Sequence, residues 1–124
     1  GTDDKGDAMK LAPQYPDAQF YDYTKVIKRA YQKLPANYHI TLSYSEADMK
    51  YADEVVMAVV KTGVNMAVVF RNKLPDTFRG LRVIDGDKDD LRFLDPKGVV
   101  VGLLAKGRAK HDDSGFVIDI DGRF

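Results

Sequence analysis

Two apolar runs, NMAVVF over residues 65–70 and GVVVGLLAK over residues 98–106, constrain the fold more than any other feature of the chain. Neither alternates between apolar and polar residues, so neither suits a strand with one face in water. Both suit strands buried on two faces, which is the mark of a parallel sheet covered by helices. Parallel neighbours need long crossover connections, and the sequence between and before these runs has to supply them.

The remaining elements fit that demand. AQFYDY (residues 18–23) reads as a short aromatic strand, and YHITLSY (38–44) alternates β-branched and aromatic residues as a strand does. Thr24 is placed to cap a helix through residue 34, with Val26, Ile27, Ala30, Tyr31 and Leu34 at helical spacing and Pro35 as its stop. A second helix over residues 46–62 starts at the Ser45-x-x-Asp48 pair, carries Met49, Ala52, Val55, Val56, Val59 and Val60 on one stripe, and closes at Gly63. Residues 71–80 read as a loop and LRVID (81–85) as a strand.

DLRFLD is open to two readings. It is a short helix, which keeps all strands parallel and is slightly preferred, or a strand paired through the turn Asp95-Pro96-Lys97-Gly98. GFVIDI (115–120) reads as a last edge strand, antiparallel to its neighbour. The expectation is a single α/β domain over residues 16–124, its mainly parallel sheet flanked by helices, with a partial (β/α) barrel-like unit as one form of it. Residues 1–15 read as a flexible lead-in, since GTDDKGDA has nothing to bury.

Composition narrows the functional classes. At 124 residues the chain suits one domain. It has no cysteine, which removes disulfides, thiolate nucleophiles and cysteine-ligated metals within it. No apolar run approaches the ~20 residues that span a bilayer, so no membrane partner is expected, and the absence of a signal-peptide pattern makes the cytoplasm the expected location. Nineteen basic residues balance nineteen acidic ones, so nucleic-acid binding would need a local patch. Of the acids seventeen are Asp, which favours turns, caps and metal sites over helix faces.

In parallel α/β domains ligands collect at the carboxyl ends of the strands, where loops and helix N-termini converge. The residues that follow the expected strands are therefore the candidates: Tyr23, Thr24 and Lys25; Ser43 and Ser45; Arg71 and Lys73; and Lys106. The cations suit phosphate, and Asp85, Asp87 and Asp90 suit Mg²⁺, the possible cofactor. No phosphate loop, dinucleotide fingerprint, EF-hand loop or Ser-His-Asp elbow is present. The tyrosines could stack on bases, although tyrosines alternating in strands usually pack on helices.

The strings FYDYTK (20–25), NYHITLSYSE (37–46), NMAVVFR (65–71), VIDGDKDDLRFLDPKGVVVGLLAKG (83–107) and DDSGFVID (112–119) resemble the phage "gene product 88"-like proteins of phages and other mobile elements. Members of that family are longer, with a cysteine-rich N-terminal region that suggests metal or cluster binding. This chain, without cysteine, resembles their C-terminal part, so that chemistry does not transfer. The matching residues are Tyr23, Thr24, Lys25, Ser43, Ser45, Arg71, Asp85, Asp87, Asp90, Arg92 and Asp95, a family pattern without assigned roles.

Three functions follow as expectations. The first is binding of a phosphate-bearing ligand or nucleic acid at the strand-end edge, through Lys25, Arg71, Lys73 and Lys106. The second is a Mg²⁺-dependent enzyme acting on phosphoesters, with Asp85, Asp87 and Asp90 as ligands. The third is a protein-interaction or inhibitor module without a small-molecule site, for which an exposed apolar patch would speak. An open sheet edge could also give a homodimer.

Overall fold

In the computed structural model, which describes residues 19–88 and 95–121, the two apolar runs form adjacent parallel strands in the middle of a seven-stranded sheet. The elements in chain order are β1 (Phe20–Thr24), β2 (Tyr38–Ser43), α1 (Met49–Thr62), β3 (Asn65–Phe70), β4 (Thr77–Phe78), β5 (Leu81–Asp85), β6 (Val100–Leu104) and β7 (Val117–Ile118). The strand order is β1-β2-β3-β6-β5-β4, with β7 on β3. Among these strands the sheet does not close into a barrel: β1 and β4 end it.

The register explains why the central strands need no polar residues. Met66 to Phe70 of β3 lie opposite Val100 to Leu104 of β6, so Met66, Val68, Phe70 and Val100 share one face. That face packs on Ala52, Val55, Ala58 and Val59 of α1, which recur at helical spacing. On the other face Ala67 and Val101 are also buried, as expected of strands covered on both sides. Asn65 is the buried exception. Its Oδ1 accepts from the Val99 amide at 2.9 Å and its Nδ2 donates to the Pro96 carbonyl at 2.7 Å, which fixes the turn that launches β6.

Several expectations are corrected. α1 begins at Met49, because Asp48 rather than Ser45 caps it, its carboxylate accepting from the Lys50 amide at 2.9 Å. Ser45 instead closes a small turn with the Ala47 amide. Gly63 ends α1 as expected. Residues 24–34 do not form an α-helix; a 3-10 helix over Ile27–Tyr31 joins β1 to β2. Thr24 stays in β1 and accepts from the Val26 amide at 3.1 Å. A crossover this short favours the tighter helix, in which Ile27 and Ala30, three apart, both reach the core.

The expected loop 71–80 contains β4, which makes an antiparallel hairpin with β5 through Arg79 and Gly80, at φ 51° and 80°. Two positive φ values in a two-residue loop match the strand twist. Arginine rarely occupies such a position, and here its guanidinium is held by Asp53 at 2.7 Å. The C-terminal strand is parallel, not antiparallel. β2 leaves β3 after Ala67, and β7 takes its place beside Val69 and Phe70. The helix-or-strand alternative falls on residues 89–94, outside the described residues, as does the lead-in 1–15.

Candidate functional site

β3 and β6 end side by side, with the Ala105 amide donating to the Phe70 carbonyl at 2.8 Å. From there the chain leaves in opposite directions. After β3 it runs toward β4 and β5, and Leu74 packs into the core beside α1. After β6 it forms a second 3-10 helix, Gly107–His111, and returns to β7 on the far side of β3. The two exits therefore cross the ends of each other's strands, and between them lies a crevice at the carboxyl ends, the general ligand position of open α/β sheets.

That crevice is a cleft of about 380 Å³ lined by Arg71 and Asn72 from one exit and by Leu104 to Gly107 and Lys110 from the other. Three cations line it and no carboxylate does. The acids stand behind them. Arg71 Nη2 donates to the Asp112 carbonyl and Nη1 lies 3.5 Å from Asp119 Oδ2, while its Nε is buried without a hydrogen-bond partner. The guanidinium is therefore oriented by the returning loop. Lys106 Nζ is 3.5 Å from Asp87 Oδ1 but remains largely exposed, so this pair holds it weakly. Lys110 is exposed.

Of the residues singled out in the sequence, Arg71 and Lys106 meet in the cleft. Lys73 lies at its rim, 3.6 Å from Asp121, which also accepts from Asn72 at 3.0 Å. Tyr23 and Thr24 end β1 with Lys25 just after it, and Ser43 ends β2 with Ser45 just after it, on the same edge but outside the cleft. Lys25 Nζ lies 5.9 Å from the centre of the Phe116 ring. Asn72, beside Arg71 at the end of β3, and Lys110 complete the lining. Lys110 escaped the sequence reading because it sits in the polar turn after β6; the basic run KGRAK was the available signal.

The aspartates do structural work. Asp85 Oδ1 accepts from the Asp87 amide at 2.9 Å, closing its own turn, and Asp87 Oδ2 accepts from the Leu104 amide at 3.1 Å, tying the end of β5 to β6. Asp90 and Arg92 lie outside the described residues. Asp95 precedes the turn into β6. Among the described residues no group of three His, Asp or Glu side chains is placed to hold a metal ion.

A second polar cluster braces the edge beside α1. Tyr44 is fully buried, donates to Glu46 Oε2 at 2.7 Å and accepts from Arg79 Nη1 at 3.1 Å. Burial first, and then the bond to Glu46, push its phenol up to about 12, with Arg79 pulling the other way. The fold thus holds the neutral phenol. The associated stability is complete below the ordinary tyrosine value of ~10 and is lost as pH rises through the folded value. Melting temperature is expected to fall between pH 10 and about 12, and to fall less steeply in Tyr44→Phe, as thermal scans across that range would show.

No helix among the described residues is long and apolar enough to cross a membrane. No curated protein and no solved structure matches the chain. The family model described as gene product 88 matches residues 5–120, nearly the whole sequence, and the chain belongs to that family.

Proposed function

We propose that the domain binds a phosphate-bearing ligand in the cleft between the ends of β3 and β6. The observation that carries this reading is the convergence of Arg71, Lys106 and Lys110 from the exits of two adjacent parallel strands on a cleft without a lining carboxylate. Arg71 is held in place by Asp119 and the Asp112 carbonyl, so it offers a fixed positive field. Lys106 can leave its weak pair with Asp87 for a phosphate oxygen, and Lys110 adds a mobile charge. Leu104 and Ala105 give the floor an apolar surface for the rest of the ligand.

Titration calorimetry with inorganic pyrophosphate at low salt tests this. Lys106→Ala and Lys110→Ala are each expected to weaken binding about five- to tenfold, as befits loss of one solvent-exposed charge-assisted bond. Lys73→Ala, at the rim, should change it about twofold or less. Affinity indifferent to both cleft substitutions would remove the cleft from consideration.

A second reading, a protein-interaction module, has one observation in its favour. Met49, Met57 and Val60 of α1 are exposed, Val60 to 70%, and apolar side chains grouped on one helix mark contact surfaces.

A further inference from the structure

We propose that the exposed face of α1 seats the same face of a second copy of this chain, antiparallel, in a weak two-fold dimer. The proposal rests on the protein-interaction reading above, names its partner, and is independent of the phosphate cleft.

α1 turns Ala52, Val55, Ala58 and Val59 into the core. At about 3.6 residues per turn, its opposite side presents Met49, Asp53, Met57 and Val60 as one stripe. Met49, Met57 and Val60 are 50%, 53% and 70% exposed. A helix with only one packing face turns polar residues to water on the other, so these three side chains are apolar surface left uncovered. Methionine is the adaptable side chain of contact surfaces. Asp53, on the same stripe, is already held by Arg79 at 2.7 Å, so covering the face strands no lone charge.

The charges beside the stripe fit a second copy. Along one flank Glu54 precedes Met57 by three residues and Lys61 follows it by four, both exposed. A two-fold axis beside Met57, perpendicular to the helix, reverses the second helix and sets this flank against itself. Glu54 of each copy then lies opposite Lys61 of the other, and the pairing occurs twice. Met57 meets its own symmetry mate, and Val60 lies against Val56 and Met57 of the other copy. The chain's nineteen basic and nineteen acidic residues cancel, which removes the long-range repulsion that keeps like-charged copies apart. At 14 residues α1 is about 21 Å long, and a contact of that length falls short of the ~800 Å² per partner of a standard interface. A dissociation constant of about 10–100 µM follows. Because α1 returns between the parallel strands β2 and β3, reversing it points the two carboxyl edges in opposite directions, and both clefts stay open.

Sedimentation equilibrium over about 5–500 µM, a range that brackets this constant, tests the proposal. The weight-average mass should rise from that of one chain toward that of two. Met57→Asp with Val60→Asp should weaken the dimer at least about tenfold and leave both pyrophosphate affinity and the melting temperature of the dilute protein unchanged. Lys61→Glu should weaken it about fivefold, and adding Glu54→Lys should restore it to within about twofold, since the pair is then exchanged. The chain has no cysteine, so Met57→Cys should give a disulfide-linked dimer on mild oxidation, whereas Lys50→Cys, about two turns from the axis, should not. That crosslink serves if the aspartate pair does not fold. A dimer indifferent to the aspartate pair, one that the exchanged charges do not restore, or one without a crosslink through position 57 overturns the proposal. A parent monomeric across the series also overturns it; a different protein that binds the parent and not its aspartate variant would then leave the wider interaction reading standing. Absence of pyrophosphate binding beside an intact dimer removes the phosphate reading alone.

Discussion

Gly115→Ala is expected to lower stability by about 3–5 kcal/mol and the melting temperature by roughly 10–20 °C. Gly115 has φ +104°, a backbone conformation that L side chains rarely adopt. A methyl group there would stand 2.7 Å from the Glu46 carbonyl carbon and closer still to the Ala47 amide nitrogen. Both are backbone atoms, so no side chain can swing aside. The close approach exists because the Gly115 carbonyl accepts from the Glu46 amide at 2.7 Å, pinning the loop from β6 to the end of β2. The same loop carries Asp112 and leads to Asp119, which orient Arg71. Pyrophosphate affinity should therefore fall along with stability. Paired thermal scans and calorimetry check this, and an alanine variant as stable as the parent would show that the loop crosses differently.

Phe70→Ala is the second large effect, with an expected loss of about 3–5 kcal/mol from the emptied volume and the lost transfer free energy. Phe70 is fully buried and meets Phe78 edge-to-face, with centroids 5.3 Å apart and planes at 85°. Phe78 meets Tyr44 in the same way at 5.5 Å, so the rings fasten the β4–β5 hairpin to the sheet. The urea midpoint should drop with little change in slope. Tyr31→Ala, at a side chain 54% exposed, should stay within about 0.5 kcal/mol. A Phe70 variant as mild as the Tyr31 variant would mean that the core collapses to fill the space.

The sheet's middle was legible in the sequence because burial on both faces leaves only apolar residues, and NMAVVF and GVVVGLLAK have little else. α1 was legible because Ala52, Val55 and Val59 repeat at helical spacing. The 3-10 helix was misread because Ile27 and Ala30, three apart, satisfy an α-helical stripe as well as a 3-10 one. The hairpin at Arg79 was hidden because its turn borrows Tyr44 and Asp53, both distant in sequence, to hold a residue that turn chemistry alone would not choose.

The candidate site divides in the same way. Arg71 and Lys106 were found because the one follows the first apolar run and the other closes the second, which is a local pattern. Their meeting in one cleft, the addition of Lys110, and the use of Asp85 and Asp87 as turn and strand-end acceptors depend on strand order and on β7 lying parallel beside β3. The sequence by itself determined which segments are buried and that the sheet is mainly parallel, since hydrophobic burial is written residue by residue. Only the tertiary structure decided which strand ends are neighbours, because pairing joins segments more than thirty residues apart, such as Met66 and Val100, through contacts that no local pattern records.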